Sequence, residues 1–344
     1  MSKVLILGPV VTTKQSGGVA VFDEGLCNGF LNNGDDCKII SLEQSANIKN
    51  VCLNKKPSMV NFIFSFKKIA KIIKAEKPDL VICSLQYCLG IRTYKRKWPS
   101  AVYVNVLHGF PTRISGMNVF KKVLMSSRYT SKRFDKNVAV SHLSYWINNR
   151  VLGVKNDAVI PNGIDIENKY TDDKRDIDLI FIGRFVKAKN IEQTVNAFVN
   201  LKQLDPKLKI VVCGYGPLHE VVETKCKEGD IEYVGSVSRD EVYSYLRRSK
   251  FFISLNPLEP FGLVFLEALL CGCNVISQST AGYLSYLKNK DYCHIADGIT
   301  DSELTAQVKE SLSNYHCISH EEHDLLYNAF SFDHIASLYK DLLN

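Results

Sequence analysis

Residues 251–277 read FFISLNPLEPFGLVFLEALLCGCNVIS. Residues 251–254 form a short apolar, aromatic run of strand type, and residues 274–277 form a second. Between them Pro260 suits the first turn of a helix, which makes the stretch strand, helix, strand. That is the unit from which parallel sheets covered by helices are built. The same alternation extends outward. Upstream runs at 179–182, 209–213 and 231–234 complete one series, and 4–7, 38–41, 80–83, 102–107 and 137–140 make an earlier one. Amphipathic segments lie between the runs, so the pattern predicts α/β class with two doubly wound parallel-sheet units in tandem. The boundary is expected near 161–170, where a polar stretch, 167–178, leads into the second series. The last segment, from Ser331, is amphipathic and opens with a capping serine.

Length and composition agree with this division. The 344 residues suit two domains of roughly 150 residues each, and either half is long enough to bury its own core. Hydrophobic residues make up 46% and charged residues 23%, values that exclude a disordered or collagen-like chain. The longest apolar stretch, 261–276, is interrupted by Glu267 and falls short of the ~20 residues of a membrane-spanning helix. The opening MSKVLILGPVV reads as a buried first strand rather than a signal peptide. Eleven scattered cysteines, among them Cys83 and Cys213 inside strand-like runs, fit reduced thiols in a cytoplasmic chain.

Charge is unevenly spread. Residues 1–165 hold 24 basic and 10 acidic side chains, a net +14, while the remainder is at −7. A basic N-terminal half implies an anionic partner. Residues 58–77 place Phe62, Phe66, Ile69 and Ile73 at helical spacing with Lys67, Lys71 and Lys74 opposite. A second cluster mixes Val119, Phe120, Val123 and Leu124 with Lys121, Lys122, Arg128, Lys132, Arg133 and Lys136. Cations beside apolar residues suit an anionic membrane surface, at ~1 kcal/mol per cation. The same pattern also describes two ordinary surface helices with solvated lysines. Nucleic-acid-binding motifs are absent.

In open parallel sheets ligands gather at the carboxyl ends of strands. After the first run come Gly17 and Gly18 at a helix start, where free amides can approach a phosphate, although a plain turn uses the same residues. After 179–182 come Gly183, Arg184 and Lys189. An arginine fork and a lysine point charge suit a diphosphate, and they equally describe two surface cations at a turn. After 251–254 come Glu259 and then Pro260, Phe261, Gly262 and Leu263, with the last three expected to present free first-turn amides. Glu267 follows among Phe265, Leu266, Ala268 and Leu269. A carboxylate in so apolar a helix needs a partner, and sugar hydroxyls would supply one.

Taken in order, these motifs resemble the GT-B glycosyltransferases of family 4. The resemblance is carried by Glu259 and Glu267 (E-x7-E), by Gly183, Arg184 and Lys189 (G-R-x4-K), and by Val159-Ile160-Pro161-Asn162-Gly163-Ile164-Asp165. Gly214-Tyr215-Gly216-Pro217-Leu218, Val234-Gly235 and Phe330-Ser331-Phe332 extend it. It implies two Rossmann-like domains facing across a cleft: an acceptor domain, 1–165, with the C-terminal helix 331–344 packing back on it, and a nucleotide-sugar domain, 166–330. It implies that Glu267 holds the nucleotide ribose and that Glu259 lies near the donor sugar. Arg184 and Lys189 would hold the diphosphate, Gly17 and Gly18 the distal phosphate, and His108 would stand beside the donor sugar. By its place alone, in Leu107-His108-Gly109 after a strand, His108 is more often structural. Fixed cations and helix amides stabilise the leaving group, so no metal or other cofactor is required. Two departures bear on the donor base and sugar rather than the diphosphate. Tyr215 stands where an acidic residue is frequent, and Ala281-Gly282 with Ser285 replaces a Gly-Gly…Glu arrangement.

The expected activity is therefore a retaining, metal-independent glycosyltransferase. It would use a nucleotide-diphosphate sugar, UDP favoured, and a glycan or lipid-linked acceptor at the cytoplasmic membrane face, in surface polysaccharide synthesis. The alternatives are a non-catalytic GT-B subunit and a sugar-nucleotide epimerase. Asp176-Ile177-Asp178 precedes its strand, the wrong end for a metal-dependent transferase, and His316, His320 and His323 lack the H-E-x-x-H arrangement of zinc hydrolases.

Overall fold

A computed structural model describes residues 1–13, 17–56, 58–112, 116–164, 174–287 and 289–344. Asp165 and most of the expected boundary at 161–170 lie outside the described residues, as does the first part of 167–178. The chain divides into two compact units, Met1–Asp165 with Asn328–Asn344, and Ile166–Tyr327.

The first unit is built on seven strands: β1 Lys3–Leu7, β2 Asp36–Ser41, β3 Val51–Cys52, β4 Leu80–Ser84, β5 Val102–Leu107, β6 Lys136–Ala139 and β7 Ala158–Val159. They hydrogen-bond in the order β3-β2-β1-β4-β5-β6-β7, every pair parallel. The second unit holds β8 Ile177–Ile182, β9 Ile210–Cys213, β10 Glu232–Gly235, β11 Ser249–Ser254, β12 Asn274–Ser277 and β13 Cys293–Ile295. Their order is β10-β9-β8-β11-β12-β13, again all parallel. Both are doubly wound Rossmann-like sheets of the GT-B type. Consecutive residues Val4, Leu5, Ile6 and Leu7 are all fully buried, as are Leu179, Ile180 and Phe181. Neither sheet face is wetted there, so the strands read as continuous apolar runs rather than alternating ones.

The strand order reverses direction once in each unit, between β1 and β4 and between β8 and β11. Loops leaving the carboxyl ends of those strand pairs diverge to opposite faces and open a crevice.

The helix Met59–Glu76 starts at Ser58, whose hydroxyl accepts from the Asn61 amide, and stops at Lys77, where φ is +50°. It buries Phe62, Ile69, Ala70 and Ile73 and leaves Lys67, Lys71 and Lys74 exposed. The C-terminal helix Phe332–Lys340 is capped by the Ser331 hydroxyl, which accepts from His334 N. Phe332 nests against the Gly18–Asn32 helix. A Cβ on Gly25 would stand 2.0 Å from the Phe332 ring, and one on Gly29 2.2 Å from its carbonyl oxygen. Only hydrogen at those two positions permits the approach. Lys340 then pairs with the buried Asp35 carboxylate at 2.8 Å.

Candidate functional site

In the second unit the expected diphosphate residues gather where the strand order reverses. Gly183 continues β8, donating its amide to Cys213 O at 3.1 Å, and the Arg184 side chain that follows is exposed. Lys189 closes the single 3-10 turn Lys187–Lys189. Its ammonium lies 2.5 Å from Oε2 of Glu259, in the loop after β11. Asn256 Nδ2 donates to the same oxygen at 3.0 Å, so two groups hold Glu259. The cation from one strand end and the carboxylate from the neighbouring one thus meet across 70 residues of sequence.

The helix after this loop starts later than expected. It spans Leu263–Leu270, and Pro260 lies outside it. Gly262 is the N-cap with φ +94°, a left-handed conformation that glycine adopts without strain. A Cβ there would also stand 2.6 Å from the Phe265 ring and 3.1 Å from Glu259 Cγ. Phe261 is buried with its ring 6.0 Å from that of Tyr286. The first-turn amides are therefore those of Leu263 and its successors, not of Phe261, Gly262 and Leu263 together. Proline's fixed φ suits a turn before the helix as well as its first residue.

Glu267 is half-buried within this helix, and burial pushes its carboxyl pKa up. The sequence offered sugar hydroxyls as partners, whereas the fold itself supplies two. Arg239 Nη2 is 3.5 Å from Oε1, and the Tyr243 hydroxyl donates to the same oxygen at 3.4 Å. Both come from the helix Arg239–Arg248, which begins with a Ser238–Glu241 capping box. These partners stand at long range, so the carboxylate keeps capacity to accept from a ligand. Tyr215, at the position of departure, is exposed with its ring 4.6 Å from that of His219.

The remaining site residues belong to the first unit. Gly17 is the extended N-cap of the helix Gly18–Asn32, and residues 14–16 before it lie outside the described residues. Gly17 and Gly18 line a cavity of about 680 Å³ at the reversal between β1 and β4, together with Val19, Leu85 and Gln86. His108, just after β5, lines a second cavity of about 550 Å³ with Asn105, Gly109 and Lys122. Its ring stands edge-on to Phe22 at 5.0 Å, and burial pushes its pKa down to about 3, leaving it neutral.

Two family models match successive stretches of this chain, covering residues 16–331 between them. The description "Glycosyltransferase Family 4" fits residues 16–168, and "Glycosyl transferases group 1" fits residues 164–331. This chain is a GT-B glycosyltransferase. An uncharacterized glycosyltransferase of Methanocaldococcus jannaschii is 27% identical over 77% of this chain and 76% of its own length. Sucrose-phosphate synthase of Thermosynechococcus elongatus shares the fold with a TM-score of 0.76 at 16% identity, over 99% of both chains. HepE of Anabaena, solved in complex with UDP and glucose, does so with a TM-score of 0.74 at 14% identity, over 100% of this chain and 99% of that one.

The competing motifs of this glycosyltransferase are occupied structurally. Asp176 pairs with Arg248 at 2.7 Å and Asp178 with Lys250 at 2.8 Å. His316 pairs with Glu322, His320 with Asp324, and His323 Nε2 lies 3.1 Å from Leu270 O. Among the described residues no group of three or more His, Cys, Asp or Glu is placed to hold a metal ion. No described helix is long and apolar enough to cross a membrane.

Proposed function

We propose that this glycosyltransferase moves a sugar, with retention of anomeric configuration, from a nucleoside-diphosphate donor to a glycan or lipid-linked glycan acceptor. The observation that carries this reading is the cluster of Arg184, Lys189 and Glu259 at the β8–β11 reversal. Lys189 carries a charge already aligned by Glu259, and Arg184 is exposed beside the same strand end. A diphosphate settling there replaces water around one held cation, Lys189, and one exposed one, Arg184, which stabilise negative charge as the leaving group departs. Leu263 and the residues after it add amides at a helix start. Glu267 takes the ribose hydroxyls and Glu259 acts at the sugar, and the family resemblance gives His108 of the first unit a part in the same reaction. UDP is the favoured nucleotide, a choice supported by the UDP bound to HepE. The chain's own cations supply the charge that a metal would otherwise bring.

The first unit takes the acceptor. The net +14 of residues 1–165 favours an anionic or lipid-linked one, consistent with surface polysaccharide synthesis at the inner membrane face. The helix Met59–Glu76 supports contact with an anionic bilayer: Val60, Ile63 and Phe64 are exposed on the same helix as Lys67, Lys71 and Lys74.

Calorimetric titration with UDP and GDP tests the donor site. Saturable heat with UDP, abolished by Arg184→Ala, is expected; no heat with either nucleotide overturns the assignment. Transfer is separated from epimerisation by whether UDP release requires an added acceptor. Flotation with anionic vesicles should be salt-sensitive and weaken when Lys67, Lys71 and Lys74 are neutralised. Equal flotation with neutral vesicles removes the membrane contact.

A further inference from the structure

The Gly18–Asn32 helix buries an acid that the sugar-transfer reading does not use. Asp23 is wholly inaccessible, one turn into the helix. Its Oδ1 is 2.8 Å from Ser84 Oγ, at the end of β4. Among the described residues its Oδ2 has no hydrogen-bond partner, and it lies against Gly8, where a Cβ would stand 1.9 Å away. The same Ser84 hydroxyl is 3.1 Å from Nε2 of His108. Three side chains from the first helix, β4 and the end of β5 thus form one chain of two hydrogen bonds.

The Ser84 hydroxyl has a single proton and, among the described residues, no recorded partner beyond these two, so one bond is donated and the other accepted and both run in the same direction. If His108 Nε2–H donates to Ser84 and Ser84 to Asp23, the acid is either ionised or holds its proton on the orphaned Oδ2. The ionised form buries a carboxylate with one oxygen unpaired, which costs several kcal/mol, and the neutral form buries an O–H donor without an acceptor, a less tolerated state than an under-satisfied carbonyl oxygen. If Asp23 Oδ1–H donates to Ser84 and Ser84 to His108 Nε2, the unpaired Oδ2 is a neutral carbonyl oxygen, costing only about 1–3 kcal/mol. The second direction is favoured. We propose that protonated Asp23, acting through Ser84, fixes His108 as the neutral Nδ1–H tautomer, so that its free nitrogen is offered as a hydrogen-bond donor and not as a base. Burial, with Glu24 as a like-charged neighbour, pushes the Asp23 pKa well up and agrees with this direction. Among the described residues no hydrogen bond reaches His108 Nδ1, and the side chain lines the 550 Å³ cavity. Asp23 and Ser84 are positioning residues. What the donor N–H does in transfer rests on the place given to His108 above, but the tautomer does not.

Nitrogen NMR of the full chain labelled with 15N-histidine, at neutral pH and without nucleotide, tests this directly. The His108 signals are assigned by their loss in His108→Gln. A protonated-type Nδ1 with an unprotonated Nε2 is expected. Asp23→Asn should preserve that pattern, because its amide N–H can donate to Ser84 as the acid does. Ser84→Ala should shift it toward Nε2–H, since the partner that sets the tautomer is gone. An Nε2–H tautomer in the unaltered protein, or an Nδ1–H signal unmoved in folded Ser84→Ala, overturns the proposal. If Ser84→Ala does not fold, the unaltered chain and Asp23→Asn still decide. Kinetics then report separately on His108: Ser84→Ala should lower kcat about tenfold with KM little changed, the value of one lost hydrogen bond. Full turnover in a variant whose tautomer has moved would remove His108 from the transfer step and leave the tautomer assignment standing.

Discussion

Replacing Lys189 with Ala separates the diphosphate role from a merely structural one, because the two roles differ in magnitude. The ion pair with Glu259 is short, at 2.5 Å, but the lysine side chain is 33% exposed. Solvent-screened pairs of this kind contribute ~0.2–1 kcal/mol. Asn256 remains 3.0 Å from the carboxylate after the lysine is gone, so Glu259 is not left unpartnered. For a protein or unit of this size 1 kcal/mol moves Tm by about 2–4 °C, and the expected loss is at or below that. If Lys189 instead faces a departing diphosphate, its removal deletes a preorganised charge worth roughly 3–4 kcal/mol in the transition state, or 10²–10³ in kcat/KM. The assay follows UDP release with acceptor, using the nucleotide sugar that most raises Tm. The double variant with Glu259→Gln should lose less than the two single losses combined, because the residues act as one unit. Turnover within about threefold of the unaltered enzyme, or a loss matched by a large fall in Tm, refutes the assignment.

Gly262→Ala forces a side chain onto a φ of +94° and a contact 2.6 Å from the Phe265 ring; a loss of about 1–3 kcal/mol in denaturant melts is expected, with turnover reduced because Glu259 Cγ is the next contact. Phe332→Ala empties the seat formed by Gly25 and Gly29 and should destabilise the first unit by about 3–5 kcal/mol in urea unfolding, while calorimetric UDP binding, assigned to the second unit, is retained at low urea. Asp23→Asn changes the pH dependence of stability. The folded acid keeps a proton that the unfolded chain releases near pH 3.9, so its contribution is full below that pH and is lost as pH rises toward the raised folded pKa. The Tm advantage of the Asn variant should therefore grow from pH 4 upward and level off; a constant difference across melts contradicts the raised pKa.

Much of the fold was legible because both sheets are covered on both faces, which turns their strands into short apolar runs. The run at 251–254 lies within β11 and the run at 274–277 is β12, while 4–7 matches β1 but for Lys3. The strands that escaped are β3, β7 and β13, of two, two and three residues. So short a segment has no periodicity to read, and its pairing comes from the neighbour already in place. The helix after β11 was placed three residues early for a different reason. Pro260 is compatible with a first turn, and what decides the start is the left-handed Gly262, a backbone state that the residue type permits but does not dictate. Likewise the Gly25-x3-Gly29 spacing is visible, but nothing local shows that Phe332, some 300 residues on, fills it.

The candidate site divides along the same line. Residue types at strand ends are local, so Arg184, Lys189 and Glu259 could be chosen from sequence. Their partners are not local: Arg239 and Tyr243 reach Glu267 from another helix, and Asp23 reaches His108 only through Ser84. Strand order links the two levels. In a doubly wound sheet the first strand of a unit lies at the centre and the order reverses beside it. For the second unit this makes β8 and β11 neighbours, as Phe251↔Leu179 and Phe252↔Ile180 in the register bear out. Once that adjacency is granted, the loops after 182 and 254 share one crevice, and a lysine in one must answer a glutamate in the other. The Lys189–Glu259 contact is thus a consequence of topology acting on two locally legible residues, and the diphosphate proposed for that crevice would meet one cation already held by Glu259 and a second, Arg184, exposed beside it.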